Sequence, residues 1–255
     1  AEALLIGFRN DLDKDLLLAY SNTGVVHIIA ISGMHLGMIY GLLIVLLRPL
    51  RSRRSYRWLK PLITLLVLWG FSFLAGAGAS ILRSVVMFSF IVIGEAIGRR
   101  TNIFNTLAAS AFCLLVYDPY YLWDVGFQLS YAAVLSIVLF MKPIYRCLYF
   151  QNKILNSIWQ LNAVTLSAQI LTLPLLLYYF HQFPNLFLFT NFFIVPLSGI
   201  ILYGCLVLLA VAKIPVLGSL TGKTISLLIT QMNGLVERTA AIPFGITTNI
   251  RINLL

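Results

Sequence analysis

Charge is scarce in this sequence. Asp, Glu, Lys and Arg make up 10% of the 255 residues, and only eight of them are acidic. A soluble domain carries about 25% charged residues. So few charges cannot clothe a water-facing surface, which excludes a soluble enzyme or binding module and predicts an integral membrane protein. Cysteine is scarce too. Cys113, Cys147 and Cys205 lie far apart with no Cys-x-x-Cys pair, which excludes a disulfide framework or a thiolate zinc site. No His, Asp or Glu group has metal-ligand spacing. His27 and His35 are eight residues apart, about 12 Å along a helix, and cannot share an ion. No cofactor is expected. A second domain, a low-complexity tract and an internal repeat are all missing. The chain opens at Ala1 without Met or a signal peptide, and is expected to be an excised piece of a longer protein.

What is present is apolar. Hydrophobic residues make up 60% of the chain, and the mean hydropathy is +0.93. Residues 3–20 put Leu4, Leu5, Phe8, Leu12, Leu16 and Ala19 on one helical face and Arg9, Asn10, Asp11, Asp13, Lys14 and Asp15 on the other. That pattern predicts an interfacial helix, within a segment 1–24 that precedes the membrane domain, 25–255. Spans are expected at about 25–47, 61–74, 81–98, 103–117, 125–141, 161–180 and 186–212. Residues 144–160 are expected as a second interfacial helix. Residues 224–243 are either an eighth span facing a pore or a surface helix. The fold class is therefore all-α, a polytopic bundle of about seven or eight spans.

The net charge of +10 would suggest nucleic acid in a soluble protein. Here its placement explains most of it. Arg48, Arg51, Arg53, Arg54, Arg57 and Lys60 follow the first span; Arg99 and Arg100 the third; Lys142, Arg146 and Lys153 the fifth; Lys213 and Lys223 the seventh. The turns at 75–80, 118–124 and 181–184 carry no Lys or Arg. Basic loops stay cytoplasmic, so 48–60 is expected inside and 118–124 outside. A nucleic-acid contact at 48–60 remains compatible with this.

The first span breaks the pattern of a lipid-facing helix. His27, Ser32, Gly33, His35, Gly37 and Gly41 interrupt it. Gly beside Ser weakens the hydrogen-bond ladder, so a bend or unwinding is expected at Ser32-Gly33. Gly37 and Gly41 read as a close-packing pair. The cluster from Ser32 to His35 is open to either packing or function, because an ionisable residue at membrane depth is expensive. Ser32, His35, Arg83, Asp124, Gln128, Gln169, Asn191, Gln231 and Asn233 come from different spans. Polar groups at depth must face each other or water. They either glue the bundle, at about 0.6 kcal/mol each, or line an aqueous path, and their number favours the path. Arg83 and Asp124, at one predicted depth, either bridge or leave Arg83 free for an anion.

Enzyme motifs fare poorly. Gly218 to Thr224 has three residues between its glycines where a P-loop needs four, and Leu217 stands where the first Gly belongs. Ala30-Ile31-Ser32-Gly33 lacks the first Gly of rhomboid-type intramembrane proteases, and the only distant histidine, His181, is at a membrane edge.

Four stretches together are specific. They are His27 to His35 (HIIAISGMH); Ala75 to Ser80 (AGAGAS), leading to Arg83; Asp118-Pro119; and Asp124 to Ser130 (DVGFQLS). In this order and spacing, joined by Pro174, Asn191 and Pro196, they resemble the competence domain of ComEC-type DNA-uptake channel proteins. The resemblance covers nearly the whole chain. It implies a bacterial inner-membrane channel that imports one DNA strand. The partners it implies are single-stranded DNA, an external DNA receptor, external OB-fold and nuclease domains of the same protein, and a cytoplasmic helicase-like motor. This chain lacks a His-x-His-x-Asp-His cluster, so no nuclease activity is assigned to it. A strand with about one charge per nucleotide needs a wet, polar or cationic wall and aromatic faces, for which Phe127, Tyr131, Tyr178 and Tyr179 are available. A small-molecule secondary transporter is the first alternative, although a proton-coupled carrier wants a mid-depth carboxylate and Glu95 and Asp124 lie near span ends. An intramembrane hydrolase using Ser32 is the second.

The orientation is testable directly. With Cys113 and Cys147 replaced by Ser, a Ser55→Cys protein should resist an impermeant thiol reagent in intact cells, and a Tyr121→Cys protein should react. The reverse labelling overturns the orientation.

Overall fold

The computed structural model describes residues 13–29, 32–48, 58–99, 101–148 and 150–250. Most of the first expected interfacial helix, and the basic segment 49–57, lie outside them. The described chain is almost wholly helical: α1 Lys14–Asn22, α2 Val26–Ile29, α3 Gly33–Leu46, α4 Leu59–Leu74, α5 Ala79–Ile97, α6 Ile103–Tyr117, a 3-10 turn Pro119–Trp123, α7 Val125–Cys147, α8 Lys153–Phe180, α9 Phe187–Val211 and α10 Pro215–Ala240, with two-residue strands β1 Phe183–Pro184 and β2 Ile246–Thr247. By length and composition α5, α7, α8 and α9 can each cross a membrane, and α3, α4 and α6 are shorter apolar helices. This is the all-α membrane bundle that the composition predicts. The chain forms two compact units, Ile31–Tyr131 and Ala1–Ala30 with Ala132–Leu255.

In the 31–131 unit, α5 is the central helix, packed against α3, α4 and α6. Leu36, Ile39, Leu68, Ile81 and Val85 form its core, with Tyr40, Trp69 and Phe88 against them. The Gly-Ala corner between α4 and α5 is a Schellman motif. Gly76 takes φ +80°, its N–H bonds the Phe73 carbonyl, and the Ala77 N–H bonds the Ser72 carbonyl. Gly98, at φ +81°, closes α5 the same way, its N–H on Glu95 and that of Arg99 on Gly94. The close-packing expectation for α3 is half met. A Cβ on Gly37 would touch Phe88 at 3.6 Å, but one on Gly41 would meet nothing within 4 Å among the described residues.

In the other unit, α9 and α10 form a full-length antiparallel hairpin. The Gly218 N–H bonds the Ile214 carbonyl at its tight end, Ile225 approaches Gly204 midway, and the Asn185 N–H bonds the Gly245 carbonyl at the open end. Residues 224–243 belong to one helix that starts at Pro215 and packs along α9; by length and composition α10 is not among the helices that can cross a membrane. The inner loop expected between Lys213 and Lys223 shrinks to a turn at 212–214, because Pro215 at the first helical position starts the helix early. Ile194, Ile201, Cys205, Ile225, Met232 and Val236 fill the hairpin, joined by Ala19, Tyr20, Val25, Ile28 and Ile29. The Tyr20 hydroxyl donates to Asn233 Oδ1 at 2.8 Å. Burial first, then Glu237, pushes this phenol well above its ordinary range, so it stays a donor.

The interfacial helix expected at 144–160 does not form as one element. α7 runs on through Pro143 to Cys147, and α8 begins at Lys153 on an Asn152 cap that accepts the Ile154 N–H. The apolar stripe read as one helix is two ends laid side by side. Tyr145 donates to Asn156 and Trp159 Nε1 to the Tyr145 carbonyl. Farther along, the Ser136 hydroxyl of α7 donates to the Ser167 carbonyl of α8 and accepts the Leu171 N–H. A side chain thus sits inside the α8 ladder one turn before Pro174, the arrangement that kinks helices.

One end of this unit is tied by a small antiparallel ribbon, Phe183 opposite Thr247 and Pro184 opposite Ile246. Gln182 Nε2 reaches Ser21 Oγ at 3.2 Å, and Asn185 Nδ2 reaches the Phe244 carbonyl at 2.7 Å. Gly24 closes the cluster at φ +75°; a Cβ there would stand 2.7 Å from Pro184 Cγ. Gly24→Ala therefore meets both the left-handed penalty, about 1–2 kcal/mol, and a clash. It should lower the melting temperature in detergent by several degrees, whereas Gly41→Ala should leave it within a degree.

Candidate functional site

The first expected span is two helices. α2 ends at Ile29, and α3 starts at Gly33 after Ser32, which is extended at φ −121° and ψ 170°. The unwinding expected at Ser32-Gly33 is therefore present. His35 sits one turn into α3 and is wholly buried. Its Nδ1 accepts the Ser32 N–H at 3.2 Å and lies 3.2 Å from Ser32 Oγ. A backbone N–H can only donate, so this pair caps the helix start.

That start rests on Arg83. A Cβ on Gly33 would fall 2.7 Å from Arg83 Nη2 and would collide with Ser84 Oγ. Only glycine lets the two helices approach so closely. Arg83 is 5% exposed. Nε donates to Ser130 Oγ at 2.6 Å, Nη2 donates to Ser84 Oγ at 2.9 Å, and the guanidinium lies 5.6 Å from the Tyr131 ring centre. Tyr131 is steadied by Ser110 at 2.9 Å and by the Phe127 ring at 4.5 Å between centres. These neighbours are hydroxyls and a π-face, none of them charged.

The bridge to Asp124 does not form. Asp124 Oδ1 instead accepts the Phe127 N–H at 2.6 Å and caps α7. Gln128 Nε2 donates to the Leu122 carbonyl and folds the 3-10 turn onto that cap. Both residues shape the 118–124 loop. In this loop Tyr121 stacks on Phe127, and partial desolvation, then Asp118, Tyr117 and Asp124, raise its phenol. Of the six described carboxylates, Asp13, Asp15, Glu95, Asp124 and Glu237 are exposed and Asp118 is half-buried.

A guanidinium offers five N–H donors, and two of them meet partners among the described residues. Beside it the first N–H groups of α3 carry the positive end of a 14-residue helix. Two positive ends thus meet in a buried place, and among the described residues no carboxylate neutralises them. Burying an unpaired charge costs several kcal/mol. The chemistry fits a phosphate or carboxylate oxygen, met by the planar fork and by backbone N–H groups.

The remaining candidates lie in the other unit. Asn233 binds Tyr20 as above. Asn191, 8% exposed, has an Oδ1 with no hydrogen-bond partner among the described residues. Gln169 is half-buried on α8, and Gln231 is exposed on α10. The nine candidates thus fall into a cluster of Ser32, His35 and Arg83, a loop pair of Asp124 and Gln128, and four separate amides. Sequence reasoning missed Ser84, Ser110 and Ser130 as partners. The available signal was Ser84 adjoining Arg83, an arginine one turn into an apolar span.

These features define a polytopic all-α membrane protein whose helices cradle a buried cation. The chain belongs to the Competence protein family, whose profile matches residues 4–254. It is similar to ComE operon protein 3 of Bacillus subtilis, 35% identical over 76% of this chain and 24% of that protein. It is also similar to Recombination protein 2 of Haemophilus influenzae, 27% identical over 78% of this chain and 26% of that protein. An uncharacterized protein of Aquifex aeolicus is 25% identical over 52% of this chain and 31% of its own length. The chain therefore spans about a quarter of the first two relatives. No solved structure matches it.

The cradle makes a direct prediction. Ser130→Ala removes the acceptor of a buried charged N–H, which costs about 1–3 kcal/mol. The melting temperature in detergent should fall by several degrees, while Ser130→Thr, which keeps the hydroxyl, should recover most of it. An unchanged midpoint for Ser130→Ala would take Ser130 out of the cradle.

Proposed function

We propose that this chain forms the part of a bacterial cytoplasmic-membrane channel through which one strand of DNA crosses during natural transformation. The observation that carries the reading, beyond family membership, is the uncompensated Arg83 at the start of α3. The passing strand supplies the missing anion, one phosphate at a time. Single-stranded DNA carries about one charge per nucleotide, and one fork plus a few amide N–H groups gives a contact weak enough to be left again, as conduction requires. Ser32 and His35 cap the start of α3, which lies against Arg83. Gln169, Asn191, Gln231 and Asn233 contribute a neutral, hydrogen-bonding wall, and Asp124 and Gln128 keep the 118–124 loop in shape at the outer face. The chain acts without chemistry of its own. Its partners, by family resemblance, are an external DNA receptor, OB-fold and nuclease domains of the same protein, and a cytoplasmic helicase-like motor.

The Ser32–His35 contact is the observation that favours a hydrolase as second reading. The same Nδ1 takes the Ser32 backbone N–H, and the i, i+3 spacing is that of a helix cap. A serine nucleophile would be labelled by a fluorophosphonate, and the label would vanish in Ser32→Ala; under the channel reading neither protein is labelled.

Uptake of labelled DNA tests the channel. Arg83→Gln should reach the membrane at normal level yet lose at least 90% of uptake. Arg83→Lys, which keeps the charge without the fork, should retain a fraction. Normal uptake by a stably inserted Arg83→Gln protein removes Arg83 from the path.

A further inference from the structure

A concave apolar groove lies in the unit that does not contain Arg83. Its volume is about 750 Å³, within the range of small-molecule sites, ~300–1,000 Å³. The first turns of α8 form one wall with Ile154, Ile158 and Leu161, and α9 forms the other with Phe193, Pro196 and Ile200. Leu235 of α10 belongs to it as well. The polar groups are at one end. Lys153 and Ser157, four residues apart, share the groove face of α8. The surroundings of that end are interfacial in character. Tyr145 and Trp159 are hydrogen-bonded there, and Lys142 and Arg146 are exposed on the adjoining turns of α7. Aromatic rings and basic side chains in this combination mark the headgroup level of a bilayer.

We propose that this groove is a binding site for one anionic phospholipid of the surrounding bilayer. The acyl chain takes the apolar walls, and the phosphate meets the Lys153 ammonium and the Ser157 hydroxyl. Charge complementarity carries the assignment. A wholly apolar furrow would be indifferent to the headgroup, whereas this one opens onto a lysine with no carboxylate partner among the described residues. The basic residues put this end at the cytoplasmic leaflet under the orientation argued above, which is where anionic lipids give the surface its negative potential. Lys153 heads α8, the helix held by Ser136 near its kink, so the bound lipid would secure the outer wall of the α8–α9 pair.

The test uses the natural full-length polypeptide in liposomes containing phosphatidylglycerol with a photoactivatable group in its acyl chain. Labelled peptides are mapped by mass spectrometry. The expected result is label concentrated several-fold on residues 154–161 and 192–200 over the other membrane helices. Lys153→Gln, a surface change that leaves the fold intact, should abolish the enrichment. Ile200→Trp, which fills the groove, should do the same. A photoactivatable phosphatidylcholine should label all helices evenly. Even labelling by phosphatidylglycerol, equal enrichment by both lipids, or enrichment that survives Lys153→Gln overturns the proposal. Competition by inorganic phosphate alone would show a free-anion site and overturns it as well. None of these readouts depends on DNA uptake, so the channel reading and this one can fail separately.

Discussion

A buried guanidinium has to be solvated by something, and around Arg83 that requirement orders the whole 31–131 unit. Water is replaced by two serine hydroxyls and a tyrosine face, with the first residue of α3 packed directly against them. Each comes from a different place in the chain. Ser84 is on Arg83's own helix, Ser130 and Tyr131 belong to the start of α7, and Gly33 opens α3. Meeting the demands of one side chain therefore fixes where α3 starts and where the first turns of α7 lie, and the glycine at 33 is dictated by the same contact. None of these partners cancels the charge. A cation held by dipoles alone keeps its charge, and that is what the proposed contact with a passing phosphate rests on.

The other unit is organised by hydrogen bonds of a plainer kind. The α9–α10 hairpin packs through an apolar face, Ile194, Ile201 and Cys205 against Ile225, Met232 and Val236. The Tyr20–Asn233 bond and the ribbon at 183–184 and 246–247 decide which segment meets which. An apolar hairpin in lipid gains little from hydrophobicity, because lipid is as apolar as leucine. Specific polar ties and close approach, as at Gly24 and Gly204, supply the selectivity instead.

Much of the fold was legible beforehand. Composition set the solvent, and runs of apolar residues put α4, α5, α6 and α9 within two residues of their observed limits, while α7 ends six residues later and α8 starts eight residues earlier than expected. The break before Gly33 was legible because Gly, Ser and His do not share a lipid-facing helix without reason. What misled was local pattern read without partners. The stripe at 144–160 has helical periodicity, yet Asn152 caps a new helix there. Lys223 looked like a loop residue because lysine is rare in spans, yet it lies within α10. Arg83 and Asp124 looked like a pair because opposite charges at one depth attract. A carboxylate that caps its own helix, accepting the Phe127 N–H, is already engaged, and no spacing rule reveals that. The hydroxyls around Arg83 were invisible for a similar reason. A serine in a membrane helix bonds its own preceding turn in most cases, as Ser84, Ser89 and Ser110 do, and only packing reveals which of them meets a second partner as well.

Three prolines lie inside consecutive long helices: Pro143 in α7, Pro174 in α8 and Pro196 in α9. Proline has no N–H to offer the carbonyl four residues earlier. The carbonyls of Leu139, Ile170 and Phe192 are therefore each left without their helical donor. In hydrocarbon such a group costs several kcal/mol if nothing else reaches it. On α8 the Ser136 hydroxyl of α7 already enters the ladder a turn earlier, between the Ser167 carbonyl and the Leu171 N–H. The three prolines thus mark the places where these helices have a carbonyl to offer a partner other than their own backbone.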